Sequence, residues 1–265
     1  MPSILNKPTT IDEYKTWMAK NSITSFDARV ETHYQSVVNA IHPAVVGSEF
    51  WLELSESLVG FDQEYTLKTK YPLMLGNSPP ELYKKPYASF LDKSYRKNVL
   101  QNRNWPKPPR KGWMIPEDWF DRVGDLVRTT LVVKYLDGVD FLVDKLAAIA
   151  NKHGLPHRSY FESRDEGYYA AHFYVDFQLG IPNMKWESTE RNISVEIQVT
   201  TQLQEVIRKL LHSYYEDRRS VPQNRSARKW QWNYRSEEFG ANYLGHILHY
   251  LEGMIVEIRE KRNDN

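Results

Sequence analysis

The chain has 265 residues, 41% of them hydrophobic, and a formal net charge of +1. That length supports one large domain or two small ones around a well-buried core, and the weak net charge confines any nucleic-acid contact to a local basic patch. The absence of cysteine excludes disulfides, thiol nucleophiles and thiolate metal sites. No apolar run reaches the length of a membrane span. The first fifteen residues lack the basic-then-apolar layout of a signal peptide, so the expectation is a cytoplasmic protein with no membrane partner.

Thr10 followed by Glu13 forms a capping box and predicts a helix to about Lys20. A second helix is expected from Ser25 as N-cap, with Val30, Tyr34, Val37, Val38 and Ile41 at helical spacing and Pro43 ending it. A third carries Phe50, Leu54, Leu58 and Phe61 on one side, and Asn77-Ser78-Pro79-Pro80 is a breaker. Entered after Pro86, the next helix stacks Ser89, Lys93, Arg96 and Lys97 along one side. Such a row is either a solvated basic face or a seat for an anion such as a polyphosphate, which a helix N-terminus assists. The stretch from Gln101 to Gly112 is a proline-rich loop with Arg103, Lys107, Arg110 and Lys111 exposed.

Asp125 to Tyr135 is the best buried strand, with Asp125 at its mouth. An amphipathic helix follows from Asp140 to Asn151, ended by Gly154, and then a strand from His157 to Glu162. Two more strands, Gly167–Asp176 and Asn192–Thr201, face each other across a polar loop. In a strand successive side chains point to opposite faces. Tyr168, Ala170, His172 and Tyr174 therefore share one face of the first, while Glu196, Gln198 and Thr200 oppose Val195, Ile197 and Val199 on the second. The polar face is either solvated or the wall of a site. A helix is then expected from Leu203 to Glu216 with Val206, Leu210, Leu211 and Tyr214 inward, and a last one from Phe239 to Arg259 with Tyr243, Ile247, Leu251, Met254 and Ile258 in register. Between them Arg225 to Arg235 alternates cations and aromatics, which suits stacking on bases or wedging under a loop. This order is that of an α/β (α+β) protein, a mixed sheet covered by helices. His246 and His249, three apart on the last helix, suggest a metal site only weakly without a third ligand.

If the strands bearing Asp125 and Glu196 are neighbours, two carboxylates converge on the kind of oxygen site that Mg²⁺ shares with phosphates. Lys85, Ser89, Lys93 and Arg96 would then face a triphosphate, and Tyr168 offers a flat ring for a base. With these motifs in this order the chain resembles the RelA/SpoT-type synthetases, enzymes that move pyrophosphate from ATP to a ribose 3′-hydroxyl. Lys85-Pro86-Tyr87-Ala88-Ser89-Phe90-Leu91-Asp92-Lys93 is similar to the family's ATP motif, and Gly167-Tyr168-Tyr169-Ala170-Ala171-His172 to its Gly-Tyr-x-x-x-His acceptor motif. Val195-Glu196-Ile197-Gln198-Val199 is similar to its Glu-x-Gln strand, and Asp125 to the aspartate of its first metal strand. The likeness spans about Tyr83 to Glu216.

The resemblance implies a nucleotidyltransferase-like synthetase core at 77–219, with an N-terminal helical region at 1–76 and a basic-aromatic segment and helix at 220–265 as part of the same globule. It implies ATP at Lys85, Ser89, Lys93, Arg96 and Arg128, catalysis and Mg²⁺ at Asp125 and Glu196, and an acceptor at Tyr168, His172 and Gln198. Arg128 lies three residues after Asp125, where the family's adenine-stacking arginine lies five after. No His-Asp hydrolase motif precedes the core, so the chain is expected not to remove what it makes. The Gly-Tyr-Tyr-Ala form and the basic segments point to the toxic small alarmone synthetases, with the 3′ CCA end of tRNA as acceptor and an antitoxin as partner. Synthesis of ppGpp or pppGpp from GDP or GTP is the alternative, and a catalytically dead nucleotide or RNA sensor a third reading.

Overall fold

The computed structural model describes residues 7–76, 80–116, 119–211 and 229–263. Helices α1 (Ile11–Lys20), α2 (Ala28–Val46) and α3 (Glu49–Thr69) precede a short strand β1 (Tyr83–Lys84) and α4 (Tyr87–Tyr95), which runs into a π-turn at Arg96–Leu100. Then come α5 (Trp119–Arg122), β2 (Val127–Val133), α6 (Asp137–Lys152), β3 (His157–Ser163), β4 (Tyr169–Pro182), β5 (Ser188–Thr201), α7 (Gln202–Leu210), a 3₁₀ turn at Trp230–Trp232 and α8 (Glu237–Asn263). The strands form a mixed sheet in the order β1-β2-β5-β4-β3, with β2 parallel to β5 and β3 antiparallel to β4. This is the α+β architecture that the order of elements predicts.

The local signals explain most of these elements. Thr10 caps α1 by accepting from the Glu13 amide, while the Glu13 carboxylate reaches back to the Thr9 amide and hydroxyl. Asp27, not Ser25, opens α2, its Oδ1 accepting from the amides of Arg29 and Val30. Pro43 does not end that helix, which continues to Val46. A proline removes one N–H and so one helical bond, and the burial of Ile41 and Val45, both fully inaccessible, holds the turn on either side. Gly154 closes α6 at φ +64. The β4–β5 hairpin is longer than expected and its loop correspondingly shorter. The side-chain oxygen of Asn183 accepts from the amides of Lys185 and Glu187, making a tight turn where a broad polar loop was predicted.

The chain forms two compact units. Residues Met1–Val45, Tyr83–Val127 and Phe177–Ser194 make the first. Its core includes Tyr14, Met18, Leu91, Tyr95 and Val99, beside Phe90 packed on Trp119. Buried Asn98 binds the Met114 backbone through both ends of its amide, and Asn102 binds the Lys107 carbonyl. The loop that follows is thereby anchored while Arg103, Lys107, Arg110 and Lys111 stay exposed.

Val46–Leu82, Arg128–Asp176 and Val195–Asn265 make the second unit. Leu54 and Leu58 of α3, Leu142 and Leu146 of α6 and Val195, Ile197 and Val199 of β5 are all fully buried there. One expectation fails in this unit, about which side of α7 faces inward. On α7, Val206 is 55% and Leu210 67% exposed while Gln204, Glu205 and Ile207 are buried. Glu205 is accepted inside because Arg208 and Lys209 pair with it. On α8, Tyr243, Ile247, Leu251, Met254 and Ile258 share one side as their spacing predicts, and that side is exposed, while the buried residues include Ala241, Asn242, Glu252 and Arg259. Arg259 lies against Tyr65, Tyr71 and Tyr135 and pairs with Asp137. The predicted continuation of α7 through 216, with Tyr214, lies outside the described residues, as do 225–228 of the basic-aromatic segment.

The contact that seats α8 is between two glycines. Gly167, at φ +77, opens the approach to β4, and a Cβ on it would collide with the Asn242 carbonyl of α8; a Cβ on Gly245 would collide with the Gly167 carbonyl. Neither backbone has room to shift, so Gly167→Ala and Gly245→Ala should each lower stability by about 2–4 kcal/mol. Urea unfolding midpoints measure this, with Gly253→Ala, in mid-helix where the space is open, as the control expected to gain about 0.5–1 kcal/mol.

Candidate functional site

The first unit holds a cationic cluster. The Lys85 amide donates to the Leu126 carbonyl at 2.8 Å and its carbonyl accepts from the Tyr34 hydroxyl at 2.9 Å, so its backbone is fixed beside the start of β2. Pro86 then starts α4, which delivers Lys93 two turns on. Both lysines reach Asp125, Lys85 to Oδ2 at 2.9 Å and Lys93 to Oδ1 at 2.8 Å. Burial alone would push the Asp125 carboxyl up, but the charges of Lys93 and Lys85 and their hydrogen bonds outweigh it and hold the pKa at about 2. Exposed Lys97 is held below the usual lysine value by partial burial and then by the like charges of Lys93, Arg96 and Lys111. Crowded cations of this kind attract a polyanion.

Of the expected ATP residues, Lys85 and Lys93 therefore converge, with Asp125 between them. Arg96 does not join them: it pairs with Asp92 one turn back at 2.8 Å. Ser89 is exposed on α4. Helical spacing shows which residues share a side, but it does not show which carboxylate captures each cation.

The second unit holds a hydrogen-bonded polar cluster on one face of the sheet. Glu196, 6% exposed, accepts at Oε1 from the Tyr174 hydroxyl at 2.8 Å and from His172 Nδ1 at 2.7 Å. His172 Nε2 lies 3.0 Å from Glu162, so the ring bridges two carboxylates. The Gln198 amide donates to the Tyr168 hydroxyl at 2.5 Å, and that hydroxyl is 3.3 Å from His172 Nε2. Burial, followed by the charge of Glu162, raises the Tyr168 pKa, so the phenol stays neutral. Arg128 stands opposite Glu196 in the parallel register and is exposed; period two puts it on the same face. Tyr168, His172, Glu196 and Gln198 thus come together as the alternation predicts.

Several neighbours escaped the sequence reading. Glu162 and Tyr160 come from β3, where Tyr160 pairs with His172 in register and stacks on its ring at 5.1 Å. Arg164 lies over the Tyr168 ring at 4.9 Å. The signal was present in the alternation of β3, which puts Tyr160 and Glu162 on one face, but the strand pairing that brings that face to His172 is not written in the sequence. His246 and His249 serve the packing of α8. His246 accepts from the Tyr169 hydroxyl at 2.8 Å and donates to the Asp165 carbonyl at 2.9 Å, and His249 stacks on Tyr169 at 3.6 Å.

Among the described residues no group of three or more His, Asp or Glu could hold a metal ion by itself. Protein sites commonly hold Mg²⁺ by one or two carboxylates, with phosphates supplying further ligands. Asp125 is ionised at neutral pH, and each oxygen of a carboxylate carries a second lone pair beyond the one given to a lysine.

Because the folded pKa of Asp125 is depressed, its contribution to stability is complete above the unfolded value near 4 and disappears as pH falls through about 2. The unfolding free energy of the wild type should exceed that of Asp125→Asn by about 2 kcal/mol at neutral pH. In urea titrations that gap should narrow between about pH 4 and pH 2. A gap constant down to pH 2 would contradict the ion-pair assignment.

No family model and no curated protein sequence matches this chain. Among solved structures, a GTP pyrophosphokinase family protein from Streptococcus pneumoniae superposes with a TM-score of 0.55 at 17% identity, over 87% of this chain and 95% of that one. Small alarmone synthetase 1 from Bacillus subtilis gives 0.49 at 18% identity over 82% and 95%. Small alarmone synthetase 2 from the same organism gives 0.47 at 13% over 87% and 97%. The last two scores add no weight of their own. At 17% identity the first likeness is one of architecture: the chain has the fold of a GTP pyrophosphokinase family protein.

Proposed function

We propose that the protein is an ATP-dependent pyrophosphokinase that transfers the β,γ-diphosphate of ATP to a ribose 3′-hydroxyl. The observation that carries this reading is the pair of lysines held on Asp125, one ammonium per oxygen, in the segment that resembles an ATP motif. A triphosphate offers Lys85 and Lys93 more anionic oxygens than one carboxylate does, so the cluster is organised before the donor arrives. We assign Arg96, which would have to exchange Asp92 for the donor, and Arg128 as the further ATP contacts, and Ser89 as a hydroxyl for the phosphates. The acceptor base stacks on Tyr168, with Gln198 and His172 fixing the phenol and the nearby hydroxyls. The new bond joins the acceptor 3′-oxygen to the β-phosphorus as the bond to the α-phosphate oxygen breaks. AMP leaves, and the hydroxyl proton passes to Glu196. We assign a Mg²⁺-ligating role to each of the carboxylates Asp125 and Glu196; the metal would neutralise phosphate charge when bound.

For the acceptor we favour the 3′ CCA end of tRNA. Arg103, Lys107, Arg110 and Lys111 are exposed on an anchored loop, and Trp232 and Tyr234 are 67% and 69% exposed beside Arg235, a composition suited to phosphates and unpaired bases. Such an activity would stop translation, making the protein the toxin of a pair and giving it an antitoxin as partner. GDP or GTP is the second reading, favoured by the name of the Streptococcus protein that shares the fold.

Incubation with γ-labelled ATP, Mg²⁺ and either deacylated tRNA or GDP plus GTP separates the two. Label in tRNA is the expected result; label only in a guanosine polyphosphate transfers the assignment to the second reading, and label in neither product defeats the pyrophosphokinase proposal. Under the productive condition Glu196→Gln should lower kcat at least ~100-fold. Tyr168→Ala should raise the acceptor KM by about tenfold or more while ATP affinity, measured by calorimetry, stays within about threefold.

A further inference from the structure

The last helix buries its polar side and shows its apolar side to solvent. Between Tyr243 and Ile258, eight large apolar side chains are 37–69% exposed: Tyr243, Leu244, Ile247, Tyr250, Leu251, Met254, Ile255 and Ile258. At 100° per residue they fill one continuous arc of about 140° containing no polar residue. Within it Leu244, Ile247, Leu251, Met254 and Ile258 follow one another at intervals of three, four, three and four, the spacing of a two-stranded coiled-coil seam. The opposite side, with Ala241, Asn242, Gly245, Glu252 and Arg259, is buried in the unit. A stripe this large and continuous on a folded surface marks an interface.

We propose that the stripe is a homodimer interface in which α8 pairs antiparallel with α8 of a second copy. Charge selects the partner and its direction. Glu237 borders the stripe in the first turn of the helix, and Lys261 and Arg262 border it in the last. Lys261 also pairs with Glu257 of its own helix. Parallel pairing would set like charges together at both ends. Antiparallel pairing about a two-fold axis at residue 249 sets Glu237 against Lys261 of the second copy. The same register places Leu244 on Met254 and Ile247 on Leu251, and it lets Ile258 fall on Gly240, where the helix has no side chain. The interface is isologous and closes on itself. It covers on the order of 600 Å² per copy, or ~1,200 Å² in all, the lower edge of the range for specific stable dimers.

The chain contains no cysteine, which makes the register directly testable. Light scattering during gel filtration of the purified full chain should give twice the mass of one chain above about 10 µM. Leu251→Lys and Ile258→Lys should each weaken dimerisation at least ~100-fold with an unchanged circular dichroism spectrum, because these side chains are already exposed. Under mild oxidation Leu244→Cys chains mixed with Met254→Cys chains should form a covalent dimer, and neither should do so alone. A wild type that is monomeric at about 100 µM would overturn the proposal, as would a folded Leu251→Lys chain that remains dimeric. Cross-linking by Leu244→Cys alone would overturn the antiparallel arrangement.

Discussion

Glu196 sits in a strand whose alternate residues Val195, Ile197 and Val199 are sealed from solvent, and it is itself 6% exposed. A carboxylate in that position is tolerated only with its oxygens bonded, and this requirement organises the polar face of the sheet. Tyr174 and His172 come from the next strand to meet it, Glu162 meets the other side of His172, and Tyr168 and Gln198 are tied to each other alongside. The donors also fix where Glu196 points, so the carboxylate is held in one orientation. Asp125 shows the same logic with charge in place of neutral donors. Two ammoniums satisfy it, and they are groups that a polyphosphate can recruit.

The strands were legible because their period is two and both faces carry information. One face of β5 reads Val, Ile, Val and the other Glu, Gln, Thr, and no other placement of that sequence keeps three aliphatic side chains together. Tyr168, His172, Glu196 and Gln198 can therefore be grouped from the alternation alone. Glu162 and Tyr160 could not, because their place depends on β3 pairing with β4 and not on their own pattern. Lys85 and Lys93 were identifiable as cations at a useful spacing, but Arg96 has a carboxylate one turn away at Asp92, and the closer partner takes it.

The helices are instructive in another way. Amphipathic spacing on α7 predicts an inward apolar side if apolar residues face the protein's own core, and on α8 it predicts only that the apolar residues share a side. The periodicity holds on both helices, and on α7 the direction is reversed. Polar groups can be buried on α8 because Arg259 finds Asp137 and three tyrosine rings, and small residues let the backbone come close. A helical pattern records that one side avoids water; it does not record what covers that side.

The close approach of Gly167 and Gly245 has a mechanical consequence. Side chains can absorb small displacements by changing rotamer, but two main chains in van der Waals contact have no such slack. Tyr168 follows Gly167 directly, so the position of α8 along its axis is passed on to the ring at the head of the polar cluster. Whatever takes hold of the outer side of α8 therefore also takes hold of the geometry of Tyr168.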